Sequence, residues 1–129
     1  MPSSSNHDTW KEEEILDNFK QGFVRFYYKG FRAEASEVCQ IYSNLLELPQ
    51  ETLTDHFKNE DEAEWARLKK RIQSKKTSES VWTISRSFSD TAEVLIQCGR
   101  HEEGKQFYVY AKHVQKLAEA LYAEEENRK

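Results

Sequence analysis

The stretch ILDNFKQGFVRFYYKG, residues 15–30, decides the fold class of this chain. Its large apolar side chains recur at steps of three and four residues: Leu16, Phe19, Phe23 and Phe26. This spacing places them on one face of a helix. Gly22 lies inside that face and is expected to let a neighbouring helix approach closely, whereas Gly30 is suited to the left-handed conformation that ends a helix. An aromatic face of this kind must be covered, so the stretch predicts one helix of a packed helical domain.

Four further amphipathic stretches follow, and together they predict an all-α fold. The five predicted helices span residues 9–29, 31–48, 49–75, 81–98 and 102–125. Because short turns join them, the expected architecture is a single-domain bundle of about five antiparallel helices arranged as helical hairpins. The helical domain is expected to cover residues 9–125, between a flexible N-terminal segment, residues 1–8, and a flexible C-terminal end, residues 126–129.

Particular residues set the expected helix ends. Thr9 and Glu12 have the spacing of a capping box, in which the two side chains bond free backbone amides at a helix start. Asn59 and Glu62 repeat that spacing inside the third predicted helix, so a kink is expected there. Serine and threonine hydroxyls compete with helical hydrogen bonds, and residues 77–80 are therefore predicted to form a loop or a helix cap.

The fourth predicted helix has the widest apolar face and is expected to lie centrally. Trp82 and Val94 widen its row of core residues, which is Val81, Ile84, Phe88, Leu95 and Cys98, with Thr91 or Ala92 between them. Cys39 and Cys98 each lie among apolar neighbours, so two buried thiols are expected rather than a disulfide. Free thiols indicate a reducing compartment.

Composition limits the class of protein. A chain of 129 residues forms one domain, which buries about two thirds of the surface that the unfolded chain exposes. Hydrophobic residues make up 37% and charged residues 33%, and the 12% aromatic content is too high for a disordered segment. The net charge of -4, from 19 basic and 23 acidic residues, argues against nucleic-acid or membrane binding over the whole surface.

The first eight residues are polar and serine-rich. They lack the positive start and apolar run of a secretory signal, and no stretch approaches the length of a membrane span. The expected location is cytoplasmic or nuclear.

The two halves of the chain share a faint repeat. Aligning Gly30 with Gly99, an offset of 69 residues, superposes an aromatic residue, a turn glycine and a small residue in the same order. The offset is close to twice the roughly 34-residue period of tetratricopeptide helix pairs, and residues of the second half resemble that pattern: Phe88, Ala92, Leu95, Gly99, Gly104, Tyr108 and Ala111. The middle unit does not match, because Glu64 replaces the turn glycine and Lys69 the small residue. The fold is therefore expected to be helical-repeat-like, without assignment to that family.

Six basic residues lie within a stretch of ten positions at the end of the third predicted helix and directly after it: Arg67, Lys69, Lys70, Arg71, Lys75 and Lys76. We call them the basic cluster. The same helix begins with acidic residues, and this order complements the helix dipole, so a solvated helix with paired charges accounts for the pattern. The cluster also has the composition that binds phosphates of a nucleic acid or an anionic lipid surface, with an affinity that falls as salt is added.

Three aromatic residues are expected on the surface: Trp10, Tyr28 and Trp65. Tyr28 lies in residues 25–32, where aromatic and basic residues alternate as they do on surfaces that stack nucleic-acid bases. Phe26 and Phe31 point towards the predicted core, however, which favours packing over base stacking. Tyr28 is then a candidate anchor for a partner protein.

No catalytic residue, cofactor site or metal site is predicted. The serines of the fourth predicted helix have no strained turn around them, as a nucleophilic serine requires. Cys98 and His101 form half of a zinc site, which needs four ligands.

The sequence therefore favours a non-enzymatic protein–protein interaction module, an adaptor or a subunit of a larger assembly, that binds a partner segment in a helical groove or on an exposed aromatic surface. The alternative is a regulator that docks on nucleic acid or an anionic membrane through the basic cluster. A second copy of the chain is a further candidate partner, through the apolar seam of Trp65, Leu68 and Ile72. The candidate partner-binding residues are Trp10, Tyr28, Trp65, Arg67, Lys69, Lys70, Arg71, Lys75 and Lys76.

Overall fold

The computed structural model describes residues 2–58 and 61–128, with side chains for residues 11–57 and 61–128. This part of the chain contains six helices and no strand: α1 (Pro2–Tyr28), α2 (Arg32–Leu46), α3 (Gln50–Lys58), α4 (Glu62–Ser74), α5 (Thr77–Gln97) and α6 (His101–Asn127). The prediction of an all-α single domain is confirmed. The predicted number of five helices is one too few, because α3 and α4 are separate helices.

Aromatic rings from four helices meet at the centre of the core. The Tyr42 ring of α2 lies 5.2 Å from Phe19 of α1, 5.6 Å from Phe88 of α5 and 5.2 Å from Phe107 of α6, measured between ring centroids. Phe57 brings α3 to the same cluster, at 5.3 Å from Phe19. All five rings are buried. Each contributes about 1.5–3 kcal/mol through the apolar surface it removes from water.

Most of the predicted core residues are buried, but Trp82 and Cys98 are not. Trp82 is 44% exposed. It follows the fully buried Val81 by one residue, a step of about 100° that turns its side chain off the core face. Cys98 lies in the turn after α5 and is exposed, whereas Cys39 is buried, and both thiols are free. The prediction of two buried thiols is therefore wrong for Cys98.

The serine- and threonine-rich residues 77–80 form the first turn of α5 rather than the loop or cap predicted there, and the N-cap is Lys76. Their free helix-start groups find a partner far along the chain, because Glu125 Oε1 accepts hydrogen bonds from the Ser78 backbone amide (3.3 Å) and from Ser78 Oγ (2.8 Å). A carboxylate at this position also complements the positive end of the helix dipole. The end of α6 thereby caps the start of α5.

Other helix ends differ from the predicted ones. Helix α1 begins at Pro2, so Thr9 lies within the helix and is not its N-cap. Proline is well suited to a first helical turn, and extending an existing helix costs little. The side chain of Asp61 caps α4 by accepting from the Ala63 amide at 3.0 Å. Asn59, which the sequence suggested as the cap, lies outside the described residues.

Helices α5 and α6 approach most closely at Gly104. A Cβ atom built there would lie 2.7 Å from Ile96 Cγ1 and 3.2 Å from the Ala92 carbonyl oxygen. At Gly22, where the sequence predicted the close approach, a Cβ would meet no atom nearer than 3.6 Å. The position that requires glycine is therefore Gly104, because the facing atoms include backbone that cannot move aside.

Helix α4 packs through a narrow apolar seam. Ile72 is fully buried, and Trp65 and Leu68 are half-buried, while most other side chains of this helix are exposed. The Trp65 ring lies 5.9 Å from Tyr28 of α1 and 6.4 Å from Phe57 of α3. Residues of the same chain thus cover the seam suggested as a contact between copies. Lys29, in the turn after α1, holds the end of α4, since its Nζ donates to the carbonyl oxygens of Gln73 and Lys75.

Candidate functional site

Two of the predicted aromatic residues, Tyr28 and Trp65, lie against each other. Their rings meet edge to face, and both side chains are half-buried. Lys69 Nζ lies 5.5 Å from the centre of the Tyr28 ring, a favourable cation–π geometry. These contacts occupy the ring surfaces that a partner would need. Tyr28 and Trp65 therefore form a packing contact between α1 and α4. The side chain of Trp10 lies outside the described part of the chain.

The basic cluster is exposed at all six positions. Its members do not share one face, however. Arg67 and Arg71 line a groove between α1 and α4, whereas Lys69, Lys70, Lys75 and Lys76 are not among the residues of that groove. The cluster therefore divides into two arginines that line the groove beside α1, Lys69 over the Tyr28 ring, and three further lysines outside the groove.

The groove between α1 and α4 has a volume of about 630 Å³. Its lining is Lys20, Gln21, Glu64, Trp65, Arg67, Leu68 and Arg71. Arg25 lies next to two of these residues. Its Nη2 donates to Gln21 Oε1 at 3.1 Å, while its Nε is buried and has no partner. Burial and the positive charge of Arg71 lower the pKa of Arg25, so this guanidinium is unfavourably placed in the structure as it stands.

A second groove, between the start of α5 and the end of α6, has the most apolar lining among those formed by the described residues. It encloses about 590 Å³ and is lined by Ser78, Glu79, Trp82, Thr83, Ala118, Glu119 and Tyr122. Ala118 is buried, while Trp82 and Tyr122 are 44% and 56% exposed. Two exposed rings and a small buried residue thus form the apolar part of the groove. Glu79 and Glu119, one from each helix, give the groove acidic edges.

A third cleft holds Tyr110 of α6 beside two glutamates of α2. Burial raises the pKa of Tyr110, and the negative charges of Glu37 and Glu34 raise it further. The Tyr110 phenol is therefore protonated near neutral pH and lies close to the Glu37 carboxylate. This contact ties α6 to α2, which is a structural role.

The described residues provide neither a metal-binding cluster nor a membrane-spanning helix. No group of three or more His, Cys, Asp or Glu side chains there is arranged to hold a metal ion. Cys98 and His101, the half zinc site noted in the sequence, belong to no such group. None of the helices in residues 2–58 and 61–128 is both long and apolar enough to cross a membrane.

The sequence named Trp65, Arg67 and Arg71 of the groove between α1 and α4, but it did not identify the two rings of the groove between α5 and α6 or the buried Arg25. Trp82 was assigned to the core, and Tyr122 and Arg25 were not singled out. A weak signal existed for the first two, because Trp82 and Tyr122 each follow a residue of the apolar face by one position and so lie at its boundary. Arg25 carried no such signal, since its burial depends on α4, more than 35 residues away in the chain.

Fold and grooves together define the class of this protein: a helical domain with two surface grooves of opposite chemical character, one apolar with acidic edges and one cationic. The sequence matches no protein-family model and no curated protein, and the structure matches no solved structure. The function proposed for this protein therefore rests on the residues and the chemistry of the two grooves.

Proposed function

We propose that this protein is a non-enzymatic protein–protein interaction module, and that its binding site is the groove between α5 and α6. The observation that carries this proposal is the pair of exposed rings, Trp82 and Tyr122, which line the groove together with the buried Ala118. Tryptophan and tyrosine dominate binding energy at protein interfaces, because they bury a large area while losing little conformational freedom. A large exposed tryptophan is costly to a free protein in water and is explained by a partner that covers it.

The groove also indicates the chemistry of its partner. An apolar side chain fits between the two rings, and the glutamates at the edges favour positive charges beside it. The proposed partner segment is therefore an amphipathic helix with apolar anchors one turn apart and Lys or Arg at its flanks. Such a helix would lie along the groove in the way that a third helix packs on a helical pair.

The antiparallel arrangement of α5 and α6 is part of the same proposal. Contacts link the start of α5 with the end of α6, through Ser78 and Glu125, and the start of α6 with the end of α5, through Gly104 and Ile96. These contacts support an antiparallel hairpin of α5 and α6. A hairpin of this kind presents a straight groove along which a third helix can pack.

A direct test uses the double variant Trp82→Ser and Tyr122→Ser. The probe is a synthetic amphipathic helix with leucine anchors and lysine flanks, together with a reversed-charge peptide that has glutamate flanks. Titration is followed by nuclear magnetic resonance of backbone amides, a signal that the double variant also provides. We expect the lysine peptide to shift amides of residues 78–83 and 118–122, and the double variant to lose at least about tenfold in affinity, since two anchors are worth well over 1.4 kcal/mol.

The matched control is Tyr108→Ser, which removes an exposed ring of α6 that does not line the groove. It should bind the lysine peptide as the unmodified protein does. Equal binding of the glutamate-flanked peptide, or unchanged binding by the double variant, would contradict the proposed site. The melting temperature of each variant confirms that the fold is retained.

A second candidate function is docking on nucleic acid or an anionic membrane, and the exposure of all six residues of the basic cluster favours it. It is tested with Lys70→Glu, Lys75→Glu and Lys76→Glu combined, which leaves the arginines beside α1 intact. Loss of binding to vesicles rich in phosphatidylserine or to single-stranded RNA, with a steep dependence on salt, would support it. The peptide titration is expected to be unaffected by this triple change.

A further inference from the structure

Arg25 is a buried cation, and none of the described carboxylates forms an ion pair with it. Its side chain is 7% exposed, and its Nε is buried without a hydrogen-bond partner. Within the described part of the chain, no carboxylate forms an ion pair with Arg25, Arg67 or Arg71. The positive charge of Arg71 lies close enough to Arg25 to lower its pKa. A folded protein keeps such an arrangement at a cost in stability unless something supplies the missing negative charge.

The groove between α1 and α4 lies where that charge is needed. Gln21, which accepts a hydrogen bond from Arg25, and Arg71, which repels it, both line the groove. Lys20 and Arg67 add two further positive side chains, and Glu64 is the acidic residue of the lining. An oxyanion between Arg25 and Arg71 would turn their repulsion into two charge-assisted contacts.

We infer that the groove between α1 and α4 is a binding site for a single phosphate group, as the free ion or as a monoester, held by Arg67 and Arg71, which line the groove, and attracted by the buried charge of Arg25, which lies against Gln21 of the lining. Guanidinium groups match the geometry of phosphate oxygens and remain protonated at neutral pH. A phosphate dianion fits three arginines better than the single charge of a carboxylate does. The acidic start of α4, Asp61 to Glu64, opposes a long polyanion, so the site suits one compact phosphate group.

The test measures thermal unfolding and amide chemical shifts while inorganic phosphate replaces chloride at constant ionic strength. We expect the melting temperature to rise by several degrees as phosphate saturates the site, because a ligand that binds the folded state stabilises it. Amides of residues 20–25 and 64–71 should shift together. Arg71→Gln should weaken phosphate binding by about tenfold or more, since it removes one charge-assisted contact.

The control is the neighbouring Lys70→Gln, which removes the same charge from the same helix but does not line the groove. It should retain phosphate binding within about twofold. Arg25→Met is a second variant of the site and should abolish the response. Arg71 is exposed, so its variant keeps the test informative even if the fold does not tolerate Arg25→Met.

A second arm distinguishes the source of the phosphate. O-phosphoserine is compared with inorganic phosphate, and serine serves as the unphosphorylated control. Tighter binding of O-phosphoserine assigns the site to a phosphorylated residue of another protein, whereas tighter binding of inorganic phosphate assigns it to the free ion. Equal stabilisation of all variants by phosphate would mean a general salt effect and would overturn the inference. Binding to phosphatidylserine vesicles that Lys70→Gln and Arg71→Gln weaken alike, without any response to phosphate, would also overturn it.

Discussion

Tyr42 places its polar hydroxyl group at the centre of an apolar core. Its side chain is fully buried, and its hydroxyl lies 2.8 Å from Thr91 Oγ1. Thr91 Oγ1 in turn donates to the Ser87 carbonyl oxygen at 3.0 Å, so Tyr42 acts as the donor to Thr91. A buried hydroxyl without a partner would destabilise the core, and this chain of hydrogen bonds prevents that.

We predict that Tyr42→Phe lowers the free energy of unfolding by about 1 kcal/mol at pH 7, the usual value of one hydrogen bond. Burial raises the pKa of Tyr42 in the folded protein, so above pH ~10 only the unfolded form ionises. The stability that Tyr42 contributes is thus complete below pH ~10 and falls above it, by about 1.4 kcal/mol per pH unit. Urea unfolding from pH 7 to 11 should show the variant overtaking the unmodified protein. Tyr108→Phe, on an exposed ring, should stay within about 0.5 kcal/mol of it at pH 7.

Arg25 differs from Tyr42, because its buried Nε has no hydrogen-bond partner among the described residues. We predict that Arg25→Met raises the free energy of unfolding by about 1 kcal/mol in phosphate-free buffer, since methionine fills similar space without an unpaired buried donor. Urea unfolding measures the change, with the exposed Arg86→Met as control, expected within about 0.5 kcal/mol. A loss of stability in Arg25→Met would show that the guanidinium is needed for the fold rather than for a ligand. A gain accompanied by loss of phosphate binding is the behaviour of a site residue that is retained at a cost in stability.

The packing of α5 on α6 depends on one missing methyl group. At Gly104 an added Cβ would meet both a side chain and a backbone oxygen, whereas at Gly22 it would find ordinary contact distances. Alanine in place of glycine normally stabilises a helix interior by about 1 kcal/mol. The two glycines therefore separate the effect of helix propensity from that of close packing.

We predict that Gly104→Ala lowers the free energy of unfolding by about 1–2 kcal/mol, because overpacking outweighs the gain in helix propensity. Gly22→Ala should raise it by up to about 1 kcal/mol. Adding Ile96→Ala to Gly104→Ala should recover part of the loss, since it removes the nearer of the two contacts. Thermal and urea unfolding of the three variants measure these changes. If Gly104→Ala were stabilising, the close approach of α5 and α6 would be wrong.

The molecule as a whole divides into a tightly packed part and a lightly attached part. Helices α1, α2, α5 and α6 share the central aromatic cluster, whereas α3 and α4 attach mainly through Leu53, Phe57 and Ile72. The groove between α5 and α6 belongs to the tightly packed part, whereas the groove between α1 and α4 joins the two parts. The cationic groove in particular has α4 as one wall.

We predict that α4 opens locally before the protein unfolds. Native-state hydrogen exchange should give amides of residues 65–72 an opening free energy about 2 kcal/mol below that of the α5 core around Phe88. Saturating phosphate should raise the value for α4 more than that for α5, because the ligand bridges α4 and α1. Exchange of α4 and α5 with one common free energy would contradict this division.

The helices themselves were predictable from the sequence, because the face on which a side chain lies depends on its spacing from near neighbours. The aromatic face of α1 and the buried rows of α5 and α6 follow that rule. The glycines that end α1 and α5 also followed, since Gly30 and Gly99 adopt the positive φ angles, 92° and 85°, that other residues avoid.

By itself, the sequence determined an all-helical domain and an exposed basic cluster. Only the tertiary structure decided that Thr77 to Ser80 is helical, because the cap comes from Glu125, 47 residues after Ser78. It alone also decided that Trp82 faces a groove and that Arg25 is buried beside Arg71. Local spacing cannot encode these features, since each depends on which distant helix covers a given face and on how closely the two backbones approach.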